Sequence, residues 1–258
     1  MKDFKDRDFK NKEIDENLIE GKNAIIEAFR SGKTVDKLYV LKDANTPAVQ
    51  SVLREAKKND TIVTFTDKVR LDHMSATGKH QGLIARVSAY EYSEVEDILE
   101  NARKKDEPPF VIICDGIVDP HNLGSIIRTT NLVGAHGVIV PKRNAVGLTS
   151  VVVKASAGAI NYTPVAKVTN ISRTIEELKK EGLWFVCADM SGAPMYDLDL
   201  KGPIGLVIGN EGEGVSRLVR EKCDFTAKIP MKGDIDSLNA SVAMGVLSYE
   251  ILRQRLNG

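Results

Sequence analysis

Four short segments hold the residues whose types and spacing could do chemistry. Ile208-Gly-Asn-Glu-Gly-Glu-Gly214 ends an apolar run in a glycine-rich turn that carries Glu211. Ile229-Pro-Met231 follows, then Ser237-Leu-Asn-Ala-Ser241, a Ser-x-Asn that enters a small-residue helix. Upstream stands Asn122-Leu-Gly-Ser-Ile-Ile-Arg128. A lone acid in a glycine turn at the carboxyl end of a strand lies where open α/β sheets gather their ligands. Arg128 sits among Ile126, Ile127, Leu132 and Val133 on a helix with hardly any other charge. Burying it unpaired is expensive, so it should face a site or a partner chain.

Each of these residues also has a plain structural use. Asn122 could cap the helix predicted over 123–133, and Ser237 or Asn239 could cap the one that begins near Ala240. The Gly209–Gly214 loop could be a strand-to-helix turn and nothing more. Glu213 serves as the comparison: it shares the loop and the charge of Glu211 and reads as surface.

Several chemistries lack their signatures. Gly209, Gly212 and Gly214 are spaced G-x-x-G-x-G and come late, unlike the dinucleotide fingerprint that follows a first strand. There is no Walker pattern, and Asp-Gly-Ile-Val-Asp-Pro-His after Cys114 is no glycine turn of a Rossmann methyltransferase. His73, His80, His121 and His136 are scattered, and Cys114, Cys187 and Cys223 form no C-x-x-C pair, so no metal site or disulfide framework is expected. Cys114 and Cys187 read as buried thiols. Lys plus Arg equals Asp plus Glu at 36 each, a net charge of zero that argues against coating nucleic acid by charge alone. No apolar stretch reads as a secretion signal or a membrane span, so a cytoplasmic protein is expected.

The elements that must position these residues form two α/β units. Residues 1–18 read as a charged, disordered tail. Residues 19–90 read as a small unit with helices at 22–30 and 47–58 and strands at 35–41, 61–66 and 83–88. Residues 91–109 read as a linker, with one short helix near Val95–Ala102 ended by Pro108-Pro109. Residues 110–258 alternate short apolar runs with helices. Runs apolar on both faces predict a parallel sheet covered by helices. The last helix, over 240–254, has a small face and an apolar stripe, which suits packing against a second copy of the chain.

The order and spacing of the segments resemble the three signature motifs of the SpoU–TrmH (SPOUT) family of RNA ribose 2′-O-methyltransferases. Asn122-x-Gly124-x-x-x-Arg128 resembles the first, Leu206–Gly214 the second, and Ile229-Pro-Met231 through Ser237–Ala243 the third. Ala155–Ala159 and Pro164–Asn170 are also similar, as is the first unit, ending at His80-Gln-Gly82. Thr130 departs from the alanine usual there, and Asn161-Tyr162 is variable ground.

The resemblance implies a parallel-sheet domain with a C-terminal trefoil knot, preceded by a smaller RNA-binding α/β domain. It implies a homodimer that binds no membrane and no DNA. S-adenosylmethionine would lie against Gly209, Ile229 and Leu238, and Arg128, Asn122, Glu211, Ser237 and Asn239 would form the catalytic set. The implied reaction is 2′-O-methylation of structured RNA, first a guanosine of 23S rRNA. The alternatives are a transfer RNA target or a non-catalytic RNA-binding or ribosome assembly factor of the same fold.

Overall fold

The computed structural model describes residues 15–234 and 237–257, which divide between Glu91 and Tyr92 into two units. The tail expected over 1–18 lies, for residues 1–14, outside the described residues. Its end is ordered: Asn17 is buried, and Leu18 opens a strand.

The first unit runs β1 (Leu18–Glu20), α1 (Lys22–Arg30), β2 (Val35–Leu41), α2 (Pro47–Lys58), β3 (Ile62–Thr66), α3 (Lys68–Met74) and β4 (Leu83–Val87). The sheet order is β1-β4-β2-β3, antiparallel except for the β2–β3 pair. Thr46 caps α2 through its side chain, with Pro47 in the first turn, as proline's fixed φ favours. The apolar faces of α1 and α2 meet β2 and β4 in one core around Ile25, Leu38, Val52 and Leu83. Two elements escape the sequence reading. β1 has only three residues, and α3 buries only Leu71, so neither carries a periodic apolar signal.

The second unit runs α4 (Val95–Lys105), β5 (Phe110–Asp115), α5 (Pro120–Leu132), β6 (Gly137–Pro141), α6 (Ser150–Ala155), β7 (Val165–Val168), α7 (Ile171–Lys180), β8 (Trp184–Pro194), β9 (Ile204–Gly209), α8 (Arg217–Arg220), β10 (Phe225–Lys228) and α9 (Ala240–Leu256). Every pairing in its six-stranded sheet is parallel, in the order β10-β8-β9-β5-β6-β7. The chain leaves β5 toward β6 and returns on the other side as β9, with Asp115 beside Gly209 at the carboxyl ends. Connections that depart to opposite sides open a crevice there.

The short helix expected near Val95–Ala102, within the segment read as a linker over 91–109, is α4, and it packs into the core. Ile98 and Leu99 are buried among Val111, Ile113 and Ile139. A Cβ on Gly137 would lie 2.6 Å from Ile98 Cγ1, so that glycine leaves room for the helix. Charge on the outer face of α4 hides this amphipathic role from a composition-based reading.

β8 also exceeds the expected Trp184–Ala188. Beyond Cys187 its register with β10 jumps, from Thr226 opposite Cys187 to Ala227 opposite Ala193, so residues 188–192 bulge from the ladder. Cys187 Sγ hydrogen-bonds with Thr226 Oγ1 at 3.5 Å, and Cys223 Sγ donates to the Val219 carbonyl at 3.4 Å.

α9 is fixed at its far end. Gln254 accepts from Leu200 N at 2.8 Å and donates to Leu198 O at 3.0 Å. The Arg255 guanidinium donates to the carbonyls of Pro108, Pro109 and Gly202. Among the described residues no helix is long and apolar enough to cross a membrane.

Candidate active site

α5 enters with Asp119 as its cap, accepting from His121 N at 2.8 Å, and with Pro120 in the first turn. That leaves Asn122 free of capping duty. It is buried within the first turn, and its amide donates to Glu211 Oε1. Asn239 arrives from the other end of the domain. Its Oδ1 caps α9, accepting from Ser241 N at 3.0 Å, Ser241 Oγ at 2.7 Å and Val242 N at 3.3 Å.

Because that oxygen is committed, the Asn239 Nδ2 must turn away from the helix. It donates to Asn122 Oδ1 at 2.9 Å and to Glu211 Oε1 at 3.3 Å. Asn122, Glu211 and Asn239 thus close into one cluster in which the helix cap sets the orientation of every amide. Asn239 thus both caps α9 and joins the cluster, two places that were alternatives in the sequence.

The loop that carries Glu211 is organised by Asn210, which the sequence reading passed over. Its Oδ1 accepts from Gly212 N at 2.9 Å and Glu213 N at 2.7 Å, an Asx turn that folds the loop back on itself. The only sequence signal for this was an asparagine two residues before a glycine. Asp115 holds the other side, accepting from Ser216 N at 2.8 Å. A Cβ on Gly209 would stand 1.9 Å from the carbonyl carbon of Gly214 and 2.2 Å from Val215 N. The glycine is therefore required first by the closure of this loop, and only then by any ligand.

Below the cluster lies a cleft of about 290 Å³, bordered by Gly209, Ile229 and Leu238 together with Met190, Ala243 and Leu247. The three residues assigned to a cofactor thus line one space. Leu238 and Met190 are exposed apolar side chains at its border. Asp189, Glu211 and Glu213 also line it. The hydroxyl of Ser191 and the guanidinium of Arg220 hold the Asp189 carboxyl below the usual carboxylate range. An apolar slot with acidic side chains at its edge suits an organic cation that carries a flat heterocycle.

Two predicted residues stand outside the cluster. Ser237 lines the cleft but is exposed, and makes no hydrogen bond to a described residue. Arg128, expected to face a site or a partner chain, is exposed on α5 and has no ion-pair or hydrogen-bond partner among the described residues. Its helix is seated closely on α6: a Cβ on Gly124 would lie 2.4 Å from Ala155 Cβ. Among the described residues no three His, Cys, Asp or Glu side chains converge as a metal site would need.

Residues 109–249 match the model of the SpoU rRNA methylase family, and residues 18–93 match that of the RNA 2′-O ribose methyltransferase substrate-binding domain. Over 236 residues the chain is 50% identical to YacO of Bacillus subtilis, named for the TrmH family of tRNA/rRNA methyltransferases, covering 91% of this chain and 94% of that one. A Staphylococcus haemolyticus protein named for the same family is 44% identical, with 92% and 96% covered. Among solved structures, the SpoU methyltransferase AviRb of Streptomyces viridochromogenes, in complex with AdoMet, superposes with a TM-score of 0.59 at 27% identity, covering 93% of this chain and 91% of that one. The chain therefore belongs to the SpoU rRNA methylase family.

Proposed function

We propose that this protein transfers a methyl group from S-adenosylmethionine to a ribose 2′-hydroxyl of structured RNA, with a guanosine of 23S rRNA as its target. One observation carries the reading: the Asn122–Glu211–Asn239 cluster stands over a cleft lined by Gly209, Ile229 and Leu238. The relatives named for tRNA/rRNA methyltransferases and the AdoMet complex of AviRb support it.

Bound S-adenosylmethionine supplies a methyl group already activated on a sulfonium. The methyl leaves the sulfonium as a thioether and the 2′-hydroxyl proton passes to water, so what remains for the chain is to place the acceptor and stabilise charge on its oxygen. Ile229 and Leu238 offer apolar surface for the adenine, and the acids at the edge of the cleft favour the cation. Glu211, held by two amides, gives the loop a single shape. Arg128 is the residue for the RNA: its fork matches a phosphate beside the target ribose and can stabilise negative charge developing on the 2′-oxygen. It is not the base, since a guanidinium stays protonated in proteins. Ser237 at the cleft would hydrogen-bond substrate, whereas Asn239 acts through Asn122 and Glu211 as a positioning residue.

The same reading gives the second unit a trefoil knot at its carboxyl end, the first unit the task of binding RNA, and the protein a place in the cytoplasm. It also makes the protein a homodimer. α9 exposes Val242 and Tyr249 beside Ser125 and Thr129 of α5, along a shallow groove that a second copy would cover. Light scattering should give twice the chain mass.

The deciding experiment is transfer of labelled methyl from S-adenosylmethionine to total RNA from cells lacking this protein, fractionated by class. Label at one alkali-resistant position of 23S rRNA is expected. Label in transfer RNA would overturn the target. Cofactor binding without transfer would point to an RNA-binding assembly factor.

A further inference from the structure

The second unit contains eight arginines, and their partners divide them sharply. Arg103 pairs with Glu96, Arg173 with Glu177, Arg217 with Glu221, Arg220 with Asp189 and Arg253 with Glu250. Arg255 is spent on three backbone carbonyls. Only Arg128 and Arg143 are exposed with no ion-pair or hydrogen-bond partner among the described residues.

Arg143 stands in the loop between β6 and α6, and that loop is held on several sides. Lys142 N donates to Val168 O at 2.8 Å, Val146 N to Ile117 O at 2.9 Å, and Leu148 N to the Tyr92 hydroxyl at 3.0 Å. Asn144 adopts a left-handed φ of 56°, which turns the chain directly after Arg143. The turn meets the reaction cluster through Gly116. A Cβ there would lie 3.2 Å from Asn210 Nδ2 and 3.9 Å from Asn144 O. Gly116 thus brings the loop of Arg143 against the residue that shapes the Glu211 loop.

A cleft lined by Asp189, Glu211 and Glu213 repels a polyanion, and a chain of net charge zero has no general excess of cations to offset it. Unpaired guanidinium forks on an anchored loop answer that need, because they bind phosphate without first breaking an internal ion pair.

We infer that Arg143 is a second phosphate-binding residue, which holds the RNA strand where it passes the Glu211 loop while Arg128 holds it from α5. The inference rests on the proposed RNA methyl transfer and adds a residue that touches substrate but not the cofactor.

The test compares wild type, Arg143→Ala and Arg143→Lys in methyl transfer to total RNA from cells lacking the protein, over a series of potassium chloride concentrations. Arg143→Ala should lower kcat/KM for RNA about tenfold. It should also reduce the slope of log kcat/KM against log salt by about 0.7, the loss of one phosphate contact to a single strand. The rate at saturating RNA and the affinity for S-adenosylmethionine should stay within about twofold of wild type, and Arg143→Lys should restore most of the salt slope. Wild-type kcat/KM and slope in Arg143→Ala would overturn the inference and leave the methyl-transfer reading standing. So would a loss confined to cofactor affinity. A wild-type protein that transfers no methyl to RNA would overturn that reading and the inference with it.

Discussion

Asn239 donates to Asn122 across 2.9 Å although 117 residues separate them, and the same Asn239 caps the last helix through its other side-chain atom. One side chain therefore joins the fold of the carboxyl end to the geometry of the Asn122–Glu211–Asn239 cluster. The two tasks can be separated chemically. Asn239→Asp keeps an acceptor for Ser241 N and Val242 N, and a carboxylate is welcome at a helix N-terminus. It also sets a negative oxygen against Asn122 Oδ1 and the Glu211 carboxylate. Asn239→Ala removes the cap as well, a loss of about 1 kcal/mol. Thermal melts should place Asn239→Ala about 3 °C below wild type and Asn239→Asp below wild type as well, since repulsion from Glu211 offsets the cap it keeps. Methyl transfer should fall at least about tenfold in both. A fully active Asn239→Asp would sever the cluster from the chemistry.

Gly209 and Gly212 share a loop but not a constraint. A methyl group on Gly209 would strike backbone at 1.9 Å, whereas one on Gly212 would meet nothing closer than Asn210 Oδ1 at 3.6 Å. Gly209→Ala must therefore open the turn that borders the cleft. Calorimetric titration with S-adenosylmethionine should show affinity at least about tenfold weaker for Gly209→Ala and within about threefold of wild type for Gly212→Ala. Equal affinities would mean that the loop does not border the cofactor.

The parallel sheet was legible because its strands are buried on both faces: Phe110–Cys114 and Gly205–Ile208 carry almost no polar atom, and such runs have few other places to go. β1, α6 and α8 were not legible, since three to six residues give too little period to read. The residues of the candidate site were singled out by type. Their connections were not legible, because Asn239, Asn122 and Glu211 meet only through tertiary structure. Asn122 was expected as a possible cap, a place that Asp119 takes. Thr130, the departure from the family pattern, is accommodated locally: its hydroxyl donates to Ile126 O at 2.8 Å, so a fully buried polar group stays satisfied.

His136 makes stability depend on pH. Its ring is fully buried, accepts from Phe110 N at 3.0 Å through Nδ1, and faces Glu107 at 3.1 Å. Burial outweighs the carboxylate and lowers its pKa below the ordinary value. The unfolded chain takes up a proton near pH 6.5, and the folded chain only at lower pH. Stability should thus be full above about pH 6.5 and decline as pH falls from there toward the depressed native value. The paired carboxylates Glu20 and Glu250 act lower, since their pKa values lie below the usual range. Urea midpoints between pH 7.5 and 5.5 should fall for wild type and change less for His136→Gln. A flat wild-type profile would contradict a neutral buried ring.

Arg128 is where fork geometry and bare charge can be told apart. It lies on α5, outside the cleft lined by Gly209, Ile229 and Leu238, so its replacement should leave S-adenosylmethionine affinity unchanged. If the guanidinium holds a phosphate and stabilises the developing oxyanion, Arg128→Ala should slow single-turnover transfer about 10²–10³-fold, the usual cost of losing one preorganised donor. Arg128→Lys keeps the charge but not the planar pair of donors, and should recover less than about tenfold of that loss. Recovery to near wild type would reduce the role to a point charge. A loss smaller than that of Asn239→Ala would move the centre of the chemistry from Arg128 to the Asn122–Glu211–Asn239 cluster.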